Sequence, residues 1–416
     1  MSASAPLICL LTPGHVASTP RLVKEADALV DAGYRVHVVA GRHFEAADPL
    51  DDDILGSARW QCTRIDYRGG AGALVRKILR RLSRRLVVRP SLATLGIAAR
   101  ASHAESLHMG AVASRLSARL YVGHCLPALP AAALAATRAH GAYGFDAEDF
   151  HDAETQEACV NLVERSIVAR LQGGLLKGCG HLTASSPLIG RMYSEIYGVQ
   201  PRIVLNVFPR SHAPDSPVEP GPISADRPAV AYWFSQTIGP GRGLEGAIHA
   251  LARVRTPIEI HLRGIPAPGY PEHLAAVARQ VGLKRPVRIL PPGPPTEMAR
   301  LAASADLGLS TEERSPLNRD ICLTNKVFVY LLAGIPQLLS STAAQQALAP
   351  SLGEAALLAD MGDSVAVAAR IDGLLSDPVR TSSARMAARE LSQRRYCWDV
   401  EKSVFLGSIG EIAPLE

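Results

Sequence analysis

The sequence has few aromatic residues and lacks the features of disulfide-bonded, repetitive or membrane-spanning proteins. Phe, Trp and Tyr make up 5% of the chain, so the core must consist mainly of aliphatic and alanine side chains, as in helices packed on buried strands. The seven cysteines are scattered and contain no Cys-x-x-Cys pair, which favours a reduced, cytoplasmic protein. The sequence contains no apolar run as long as a membrane span, no low-complexity tract and no repeat of solenoid length.

The remaining composition is that of a folded chain too long for one core. Apolar residues make up 47% of the 416 positions and charged residues 20%, close to globular averages. Single hydrophobic cores stop growing at roughly 250 to 300 residues, so we expect two domains. The net charge of +5 is small and mostly dispersed, which argues against a nucleic-acid partner.

Short apolar runs alternate with amphipathic stretches of helical length, a pattern that predicts an α/β protein with two doubly wound, Rossmann-like domains. A proline-rich, aperiodic stretch separates the two sets and is interpreted as a linker. The predicted divisions are a first domain at 1–207, the linker at 208–228, a second domain at 229–392 and a final helix at 393–416.

A glycine-rich turn, Gly239–Gly246, falls between a predicted strand and a predicted helix of the second domain. Backbone N–H groups around Gly241 and Gly243, the positive end of the helix and the guanidinium of Arg242 together predict a phosphate site. The turn also matches Gly-x-Gly-x-x-Gly, but the next predicted strand, at 258–262, does not end on the acid that a dinucleotide site requires, and the loop after it offers Arg263. The alternative is a turn whose glycines serve backbone geometry alone.

A second candidate lies where the polar segment beginning at Asn318 meets an apolar helix that ends at Gly334. Asn325 and Lys326 are predicted near the helix N-terminus, where the dipole, an amide and an ammonium can hold a diphosphate without a metal ion. A solvated lysine beside a helix cap is the alternative interpretation.

These segments, in this order, resemble the group 1 glycosyltransferases, which are retaining enzymes of the GT-B fold. The resemblance is carried by four segments spanning nearly the whole chain: 18–36, 124–149, 240–245 and 324–336. It implies two Rossmann-like domains facing a cleft, a final helix around Trp398 that crosses back to the first domain, and a nucleoside-diphosphate sugar as donor, with no metal and no other cofactor. It also implies that Arg242 and Lys326 bind the donor diphosphate, and that the loop at Gly14 approaches it.

Two departures from the family pattern affect the predicted catalytic residues. The usual pair of glutamates falls on Ile321 and Val329, so we expect a substitute among Glu312, Glu313, Asn318 and Asp320. In the first domain, the usual Asp-x-His-Glu is Asp146-Ala-Glu-Asp149. We therefore rank Glu148 first and Asp149 second as the group that orients or deprotonates the acceptor, with His124 as a further candidate.

The one basic concentration, residues 74–89, contains seven cations and no acid. At 100° per residue its apolar side chains gather on one side and its cations on the other, which predicts a cationic amphipathic helix. Such a helix can lie on an anionic membrane surface and would suit a lipid-linked acceptor, although sugar and small-molecule acceptors remain open. The alternative is a surface helix whose apolar stripe packs on the sheet.

The sequence thus favours a glycosyltransferase of polysaccharide or glycolipid assembly, cytoplasmic or peripheral on the inner face of the cell membrane. A sugar-nucleotide epimerase and a non-catalytic sugar-nucleotide binder are the alternatives. The acidic run Asp51–Asp53 is predicted to be a solvated loop and not a metal site. The transferase interpretation requires that Arg242 and Lys326 not lie on opposite faces and that neither be buried against an internal carboxylate.

Overall fold

The computed structural model describes residues 5–154 and 161–415 and divides the chain into two compact units. The first unit comprises the chain up to Val204 together with Lys402 onward, and the second comprises Leu205–Glu401. The boundary falls inside the last helix, α17 (Trp398–Gly410), which begins in the second unit and ends in the first.

The first unit is built on a seven-stranded parallel sheet with strand order β3-β2-β1-β4-β5-β6-β7. Its strands are β1 (Leu7–Thr12), β2 (Arg35–Arg42), β3 (Gln61–Asp66), β4 (Leu120–His124), β5 (Ala142–Ala147), β6 (His181–Ala184) and β7 (Arg202–Ile203). Its helices are α1 (Pro20–Asp31), α2 (Asp48–Ser57), α3 (Ala71–Leu86), α4 (Leu95–Ser102), α5 (Ser106–Ala113), α6 (Leu129–Ala139), α7 (Leu162–Leu175) and α8 (Pro187–Tyr197). Alanines of α6 pack with α5 and the central strands, consistent with the aromatic-poor core that the composition predicts.

The second unit is built on a six-stranded parallel sheet with strand order β10-β9-β8-β11-β12-β13. Its strands are β8 (Ala229–Ile238), β9 (Ile258–Pro266), β10 (Val287–Leu290), β11 (Leu307–Ser310), β12 (Gln337–Ser340) and β13 (Ala356–Ala359). Its helices before α17 are α9 (Leu244–Leu251), α10 (Tyr270–Gln280), α11 (Met298–Ala302), α12 (Leu317–Ile321), α13 (Asn325–Ala333), α14 (Ala343–Leu352), α15 (Ser364–Leu375) and α16 (Pro378–Arg394). Helices pack on both faces, forming one core around Trp233 and another around Tyr330.

The predicted α/β class with two doubly wound sheets is confirmed, and each sheet reverses its strand order once. The reversal lies between β1 and β4 in the first unit and between β8 and β11 in the second. Loops that follow the two strands at such a reversal diverge to opposite faces and leave a crevice at the carboxyl edge of the sheet, where open parallel sheets bind ligands. None of the helices in the described ranges is both long and apolar enough to cross a membrane.

Candidate functional site

The loops after β8 and β11 lie against each other at the switch point of the second unit. The backbone N–H of Gly243 donates to Oε1 of Glu313 over 3.3 Å, and the Thr311 hydroxyl lies 3.5 Å from the carbonyl oxygen of Arg242. Gly243 has φ +70°, and a Cβ there would lie 1.8 Å from the Thr311 carbonyl oxygen. Glycine is therefore required at 243 for both its backbone conformation and the close approach of the second loop.

This turn combines a helix N-terminus with guanidinium groups that have no carboxylate partner. Helix α9 begins at Leu244, directly after the turn. Within the described part of the chain, neither Arg242 nor Arg319 forms an ion pair, and Nη1 of Arg319 is buried without a hydrogen-bond partner. That Nη1 atom lies 3.3 Å from the position that a Cβ on Gly241 would occupy, so Arg319 adjoins the turn. The arrangement can bind an anion.

Lys326 is paired with an internal carboxylate, which the sequence argument for the donor site had excluded. Its Nζ lies 2.6 Å from Oε1 of Glu312, and the two side chains are 5% and 3% exposed. The ammonium also lies 5.4 Å from the ring centroid of Trp233. Lys326 is thus buried against an internal carboxylate, so the sequence argument for a two-cation pyrophosphate grip fails on its own terms.

Glu312 remains ionised in this environment. Burial opposes its ionisation, but the Lys326 ammonium, with further contributions from Arg242 and Arg319, holds the pKa of Glu312 below its usual value. Lys326 thus neutralises Glu312, which leaves Arg242 and Arg319 as cations at the turn, with Glu313 and, in the first turn of α9, Glu245 as nearby carboxylates. Arg242 and Arg319 supply the charge that Lys326 no longer offers.

The structure also places the other donor-site candidates of the second unit, which are Arg263, Asn325 and Asn318. Arg263 lies inside β9, which is longer than predicted, and its guanidinium donates to the Tyr232 hydroxyl and the Pro291 carbonyl, each over 2.7 Å. Asn325 is the first residue of α13, as predicted, and Asn318 lies in α12.

The positions that lack the usual glutamates are apolar and buried, with Ile321 5% and Val329 1% exposed. Of the four candidate substitutes, Glu312 is paired with Lys326, and Asp320 accepts a hydrogen bond from the backbone of Ala343 over 2.9 Å. Glu313 is exposed beside the turn.

A buried charged cluster occupies the switch point of the first unit. Its members are Arg21 and Glu25 on α1, His124 at the end of β4, Asp146 in β5 and Glu148 just after β5. Arg21 donates to Asp146 Oδ1 over 2.9 Å and to the Val204 carbonyl over 2.7 Å, so it joins three separate segments. Burial opposes the charge on Asp146, but Arg21 and His124 outweigh it and hold the pKa of Asp146 well below its usual range.

His124 is enclosed by three carboxylates. Its Nε2 lies 3.4 Å from Glu25, and its Nδ1 lies 3.4 Å from Asp146 and 3.6 Å from Glu148. Burial alone would favour neutral imidazole, but the carboxylates outweigh it and raise the pKa of His124 to about 10. Burial and the nearby Asp146 raise the pKa of Glu25.

Glu148 is the one member of the cluster whose side chain is substantially accessible, at 26%, and its Oε1 points inward without a hydrogen-bond partner. The loop that carries it is fixed by its backbone. The Ser185 hydroxyl donates to the Glu148 carbonyl, and the Tyr193 hydroxyl donates to the Asp149 carbonyl over 3.0 Å. Glu148 can therefore present a carboxylate whose environment is set by His124, while His124 itself is inaccessible to solvent.

Gly14 follows β1 at the same switch point, and its loop is held by a buried histidine. His15 Nδ1 donates to Asp51 Oδ2 over 2.8 Å, and its Nε2 accepts the backbone N–H groups of His43 and Phe44 over 3.1 and 3.0 Å. Asp51–Asp53 lies in α2, so the prediction of a loop is wrong, and Asp51 is fully buried, whereas Asp52 and Asp53 are exposed to solvent as predicted. The acidic run alone does not reveal that His15, which is 36 residues away in the chain, binds Asp51.

Two groups in the described residues have the composition of metal ligands, but both are engaged within the protein. In the group of His15, Asp48 and Asp51, the last two are bonded to Arg42 and His15 respectively. In the group of Glu25, His124 and Asp146, the aspartate is held by Arg21. A cation at either place would compete with a guanidinium or an imidazole for the same carboxylate oxygens.

No known family profile matches the chain, and no curated protein matches it in sequence. Solved structures are similar over nearly its full length. HepE from Anabaena, crystallised with UDP-glucose, has a TM-score of 0.72 at 15% identity, covering 98% of this chain and 100% of that one. Sucrose-phosphate synthase from Thermosynechococcus elongatus has a TM-score of 0.69 at 14% identity, covering 98% of both chains. The chain has the GT-B fold. A Listeria monocytogenes protein assigned as a UDP-N-acetylglucosamine 2-epimerase is also similar, with a TM-score of 0.58 at 11% identity, over 99% of this chain and 98% of that one.

In this GT-B chain, three charged residues at the two switch points were not assigned a role from sequence. Arg21 and Glu25 are one turn apart on α1, a spacing that places them on one helix face, but nothing local shows that this face is buried against β5. Arg319 lies in the polar segment before α13 and becomes a candidate only because the β11 loop folds back on Gly241.

Proposed function

We propose that this protein is a glycosyltransferase that moves a sugar from a nucleoside diphosphate to an acceptor hydroxyl. The observation that carries the proposal is the glycine turn and helix N-terminus at the β8/β11 switch point, where neither Arg242 nor Arg319 forms an ion pair with any described residue. The fold supports it, since the HepE structures of the same fold contain UDP and UDP-glucose. The two arginines therefore take the place of Lys326, which the sequence argument required to be free of an internal carboxylate.

In the proposed mechanism the donor diphosphate binds at the N-terminus of α9, with Arg242 and Arg319 directed at its oxygens. Negative charge develops on the leaving diphosphate as the glycosidic bond breaks, and preorganised cations stabilise that charge. Lys326 contributes indirectly, because by neutralising Glu312 it preserves the positive potential of the turn. Such a site needs no metal ion, so we expect activity to persist in excess EDTA.

The donor site is tested by nucleotide binding. We expect one of UDP, GDP, ADP, CMP and dTDP to raise the melting temperature, since a ligand at one hundred times its Kd stabilises by about 2.7 kcal/mol. Arg242→Gln should weaken that nucleotide by about 1–3 kcal/mol, or about 5- to 150-fold in Kd. Arg279→Gln is the matched control, because Arg279 is an exposed arginine on α10. Equal affinity in the native protein and Arg242→Gln would remove the turn from the site.

At the acceptor, we propose that Glu148 orients or deprotonates the attacking hydroxyl and that His124 positions Glu148. Glu148→Gln should lower turnover by about 10²- to 10⁴-fold, the contribution of a positioned acid or base, with nucleotide affinity unchanged. The control Glu195→Gln changes an exposed glutamate on α8. Unaltered turnover in Glu148→Gln would transfer the role to Asp149, whose asparagine variant completes the comparison.

A sugar-nucleotide epimerase is the second candidate, favoured by the similarity to the Listeria protein. An epimerase converts the donor without an acceptor, whereas a transferase yields free nucleoside diphosphate and a glycosylated product. Incubation of each nucleotide sugar without acceptor, followed by NMR of the sugar, distinguishes the two. The same spectra of a transferase product report whether the anomeric configuration is retained, as we propose from the family resemblance. Tight nucleotide binding without turnover of any donor would indicate a non-catalytic binder.

We further propose that the protein acts at an anionic membrane surface through α3, in polysaccharide or glycolipid assembly. The alternative that its apolar stripe packs on the sheet is contradicted, because Leu74, Val75 and Ile78 are 62%, 54% and 49% exposed. Small residues of α3, Ala73 and Ser83, are buried instead. Exposed apolar side chains flanked by cations favour the interface of an anionic bilayer.

Reversal of charge at Lys77, Arg81 and Arg85 tests this proposal, since none of the three forms an ion pair in the described structure. The triple glutamate variant should lose sedimentation with anionic vesicles while keeping nucleotide binding. Sedimentation equal to that of the native protein would refute the membrane role of α3.

A further inference from the structure

A groove of about 530 Å³ lies at the C-terminal end of α3, apart from both switch-point sites. Its walls are the segment that connects α3 to α4, the first residue of α4, and one side of α7. Its lining is mainly apolar and small, with Val87, Val88, Ala93 and Leu95 on one side and Ala169 on the other. The volume lies in the range of small-molecule sites, roughly 300–1,000 Å³.

Two adjacent glycines of α7 shape the groove. Gly173 and Gly174 both line it, although glycine inside a helix costs about 1 kcal/mol relative to alanine. A Cβ at Gly174 would lie 2.7 Å from the Leu95 side chain, so that glycine allows the two walls to approach. A Cβ at Gly173 would have no neighbour within 4 Å, so any side chain there would project into free space. The helix thus accepts a local cost where it lines the groove.

The groove adjoins a surface that is both apolar and positively charged. Leu95, which lines the groove, is 39% exposed, and Leu82 of α3 and Leu92 of the segment that connects α3 to α4 are 48% and 41% exposed. No carboxylate occurs in the sequence between residues 67 and 104. The acid that faces this region from α7, Glu164, is already paired with Arg84 over 2.5 Å.

The rim of the groove therefore keeps unneutralised guanidinium groups. Arg170 lines the groove, and Arg89 lies in the chain between the lining residues Val88 and Pro90; both arginines are exposed, and neither forms an ion pair within residues 5–154 and 161–415. An apolar trough with cations at its mouth is complementary to a hydrocarbon chain with an anionic head.

We propose that this groove holds one acyl chain of an anionic phospholipid, drawn from the bilayer on which α3 lies, with the lipid phosphate at Arg89 and Arg170. The proposal rests on the membrane role given to α3 and adds a discrete lipid site to it. A chain lodged between α4 and α7 would fix the orientation of the first unit on the membrane, which a helix lying on the surface alone does not do. The groove is too small for more than part of one lipid.

The test uses the full-length protein and vesicles of phosphatidylcholine with phosphatidylglycerol, whose acyl chain carries a photoactivatable diazirine. After irradiation, mass spectrometry maps the labelled peptides. We expect label on 87–95 and 166–174 as well as on the exposed face of α3. Neutral phosphatidylcholine vesicles carrying the same diazirine chain should label the groove peptides at least about tenfold less.

The discriminating variant is Gly173→Leu, which fills the groove and improves helix propensity, so that it should fold. Groove labelling should fall about tenfold, the loss expected when about two buried methylene groups are displaced, while labelling of α3 persists. Gly407→Leu is the matched control, because Gly407 is also an exposed helical glycine with open space around its Cβ. Groove labelling that is equal in Gly173→Leu and the native protein would overturn the proposal, as would label confined to α3.

The head-group contacts are tested by Arg89→Gln with Arg170→Gln, against Arg138→Gln with Arg191→Gln as a charge-matched control on exposed helical positions. Only the first pair should lower groove labelling, and labelling unchanged by it would refute the assigned phosphate contacts. Nucleotide-induced stabilisation is measured on the same samples. Lipid labelling without nucleotide binding would leave the groove in place and refute the transferase, and the reverse result would refute the groove alone.

Discussion

Replacing Lys326 with methionine separates a structural role for this lysine from direct contact with the donor. The Lys326 ammonium and the Glu312 carboxylate are 2.6 Å apart and almost completely buried. At an effective dielectric of 20 their attraction is about 6 kcal/mol, which is largely offset by a desolvation cost of several kcal/mol for each ion. The pair therefore adds little net stability, but the loss of one partner leaves the other charge buried without compensation.

We expect Lys326→Met to destabilise the second unit by about 3–5 kcal/mol, which lowers its melting temperature by about 6–20 °C. The double variant with Glu312→Gln removes both charges and should recover most of that loss. Differential scanning calorimetry measures both, and nucleotide titration of the double variant completes the test. A melting temperature within about 2 °C of native for Lys326→Met would refute the buried pair. A loss of nucleotide affinity in the double variant as large as in Arg242→Gln would show that Lys326 contacts the donor directly.

Three further predictions concern the switch points. His124→Gln should be most destabilising at neutral pH and below. The folded-state pKa of His124 is about 10 and its unfolded-state pKa is near 6.5, so its protonation stabilises the fold fully below pH 6.5, and this stabilisation is lost as the pH rises through about 10. Urea midpoints measured across that pH range test the prediction. Gly243→Ala should abolish nucleotide stabilisation, because its Cβ would overlap the Thr311 carbonyl, whereas Gly269→Ala, with a similar φ of +75° and open space, should cost only about 1–2 kcal/mol. Glu25→Gln removes one of the carboxylates that raise the pKa of His124, so the pH at which the His124 contribution is lost should move down; an unchanged profile would contradict the contact.

The end of α13 was predicted from the sequence because a glycine marks it locally. The apolar helix was expected to end at Gly334, and α13 does end there, with Gly334 in the left-handed conformation. The edge strand Gln61–Asp66 was not predicted, because an edge strand is largely exposed and its sequence mixes polar and apolar residues. The short strand Gln337–Ser340 was missed because it follows directly on the apolar helix α13.

The candidate sites show the same division between local and distant determinants. The anion-binding turn could be predicted from residues 229–251 alone, because the strand, the glycine turn that carries Arg242 and the following helix are contiguous in the chain. The partner of Lys326 could not, because Glu312 comes from the preceding loop and its carboxylate reaches the lysine only when β11 and α13 pack together.

The amino-acid sequence by itself determined the two parallel sheets, the glycine turn and the cationic face of α3, because each depends on the periodicity or composition of a continuous segment. The tertiary structure alone decided which charges are available. It placed Lys326 against Glu312, enclosed His124 among three carboxylates, and left Arg242 and Arg319 without an ion pair among the described residues. The reason is physical: the state of a charged group depends on its burial and on neighbours within a few ångströms, and those neighbours come from segments far apart in the chain.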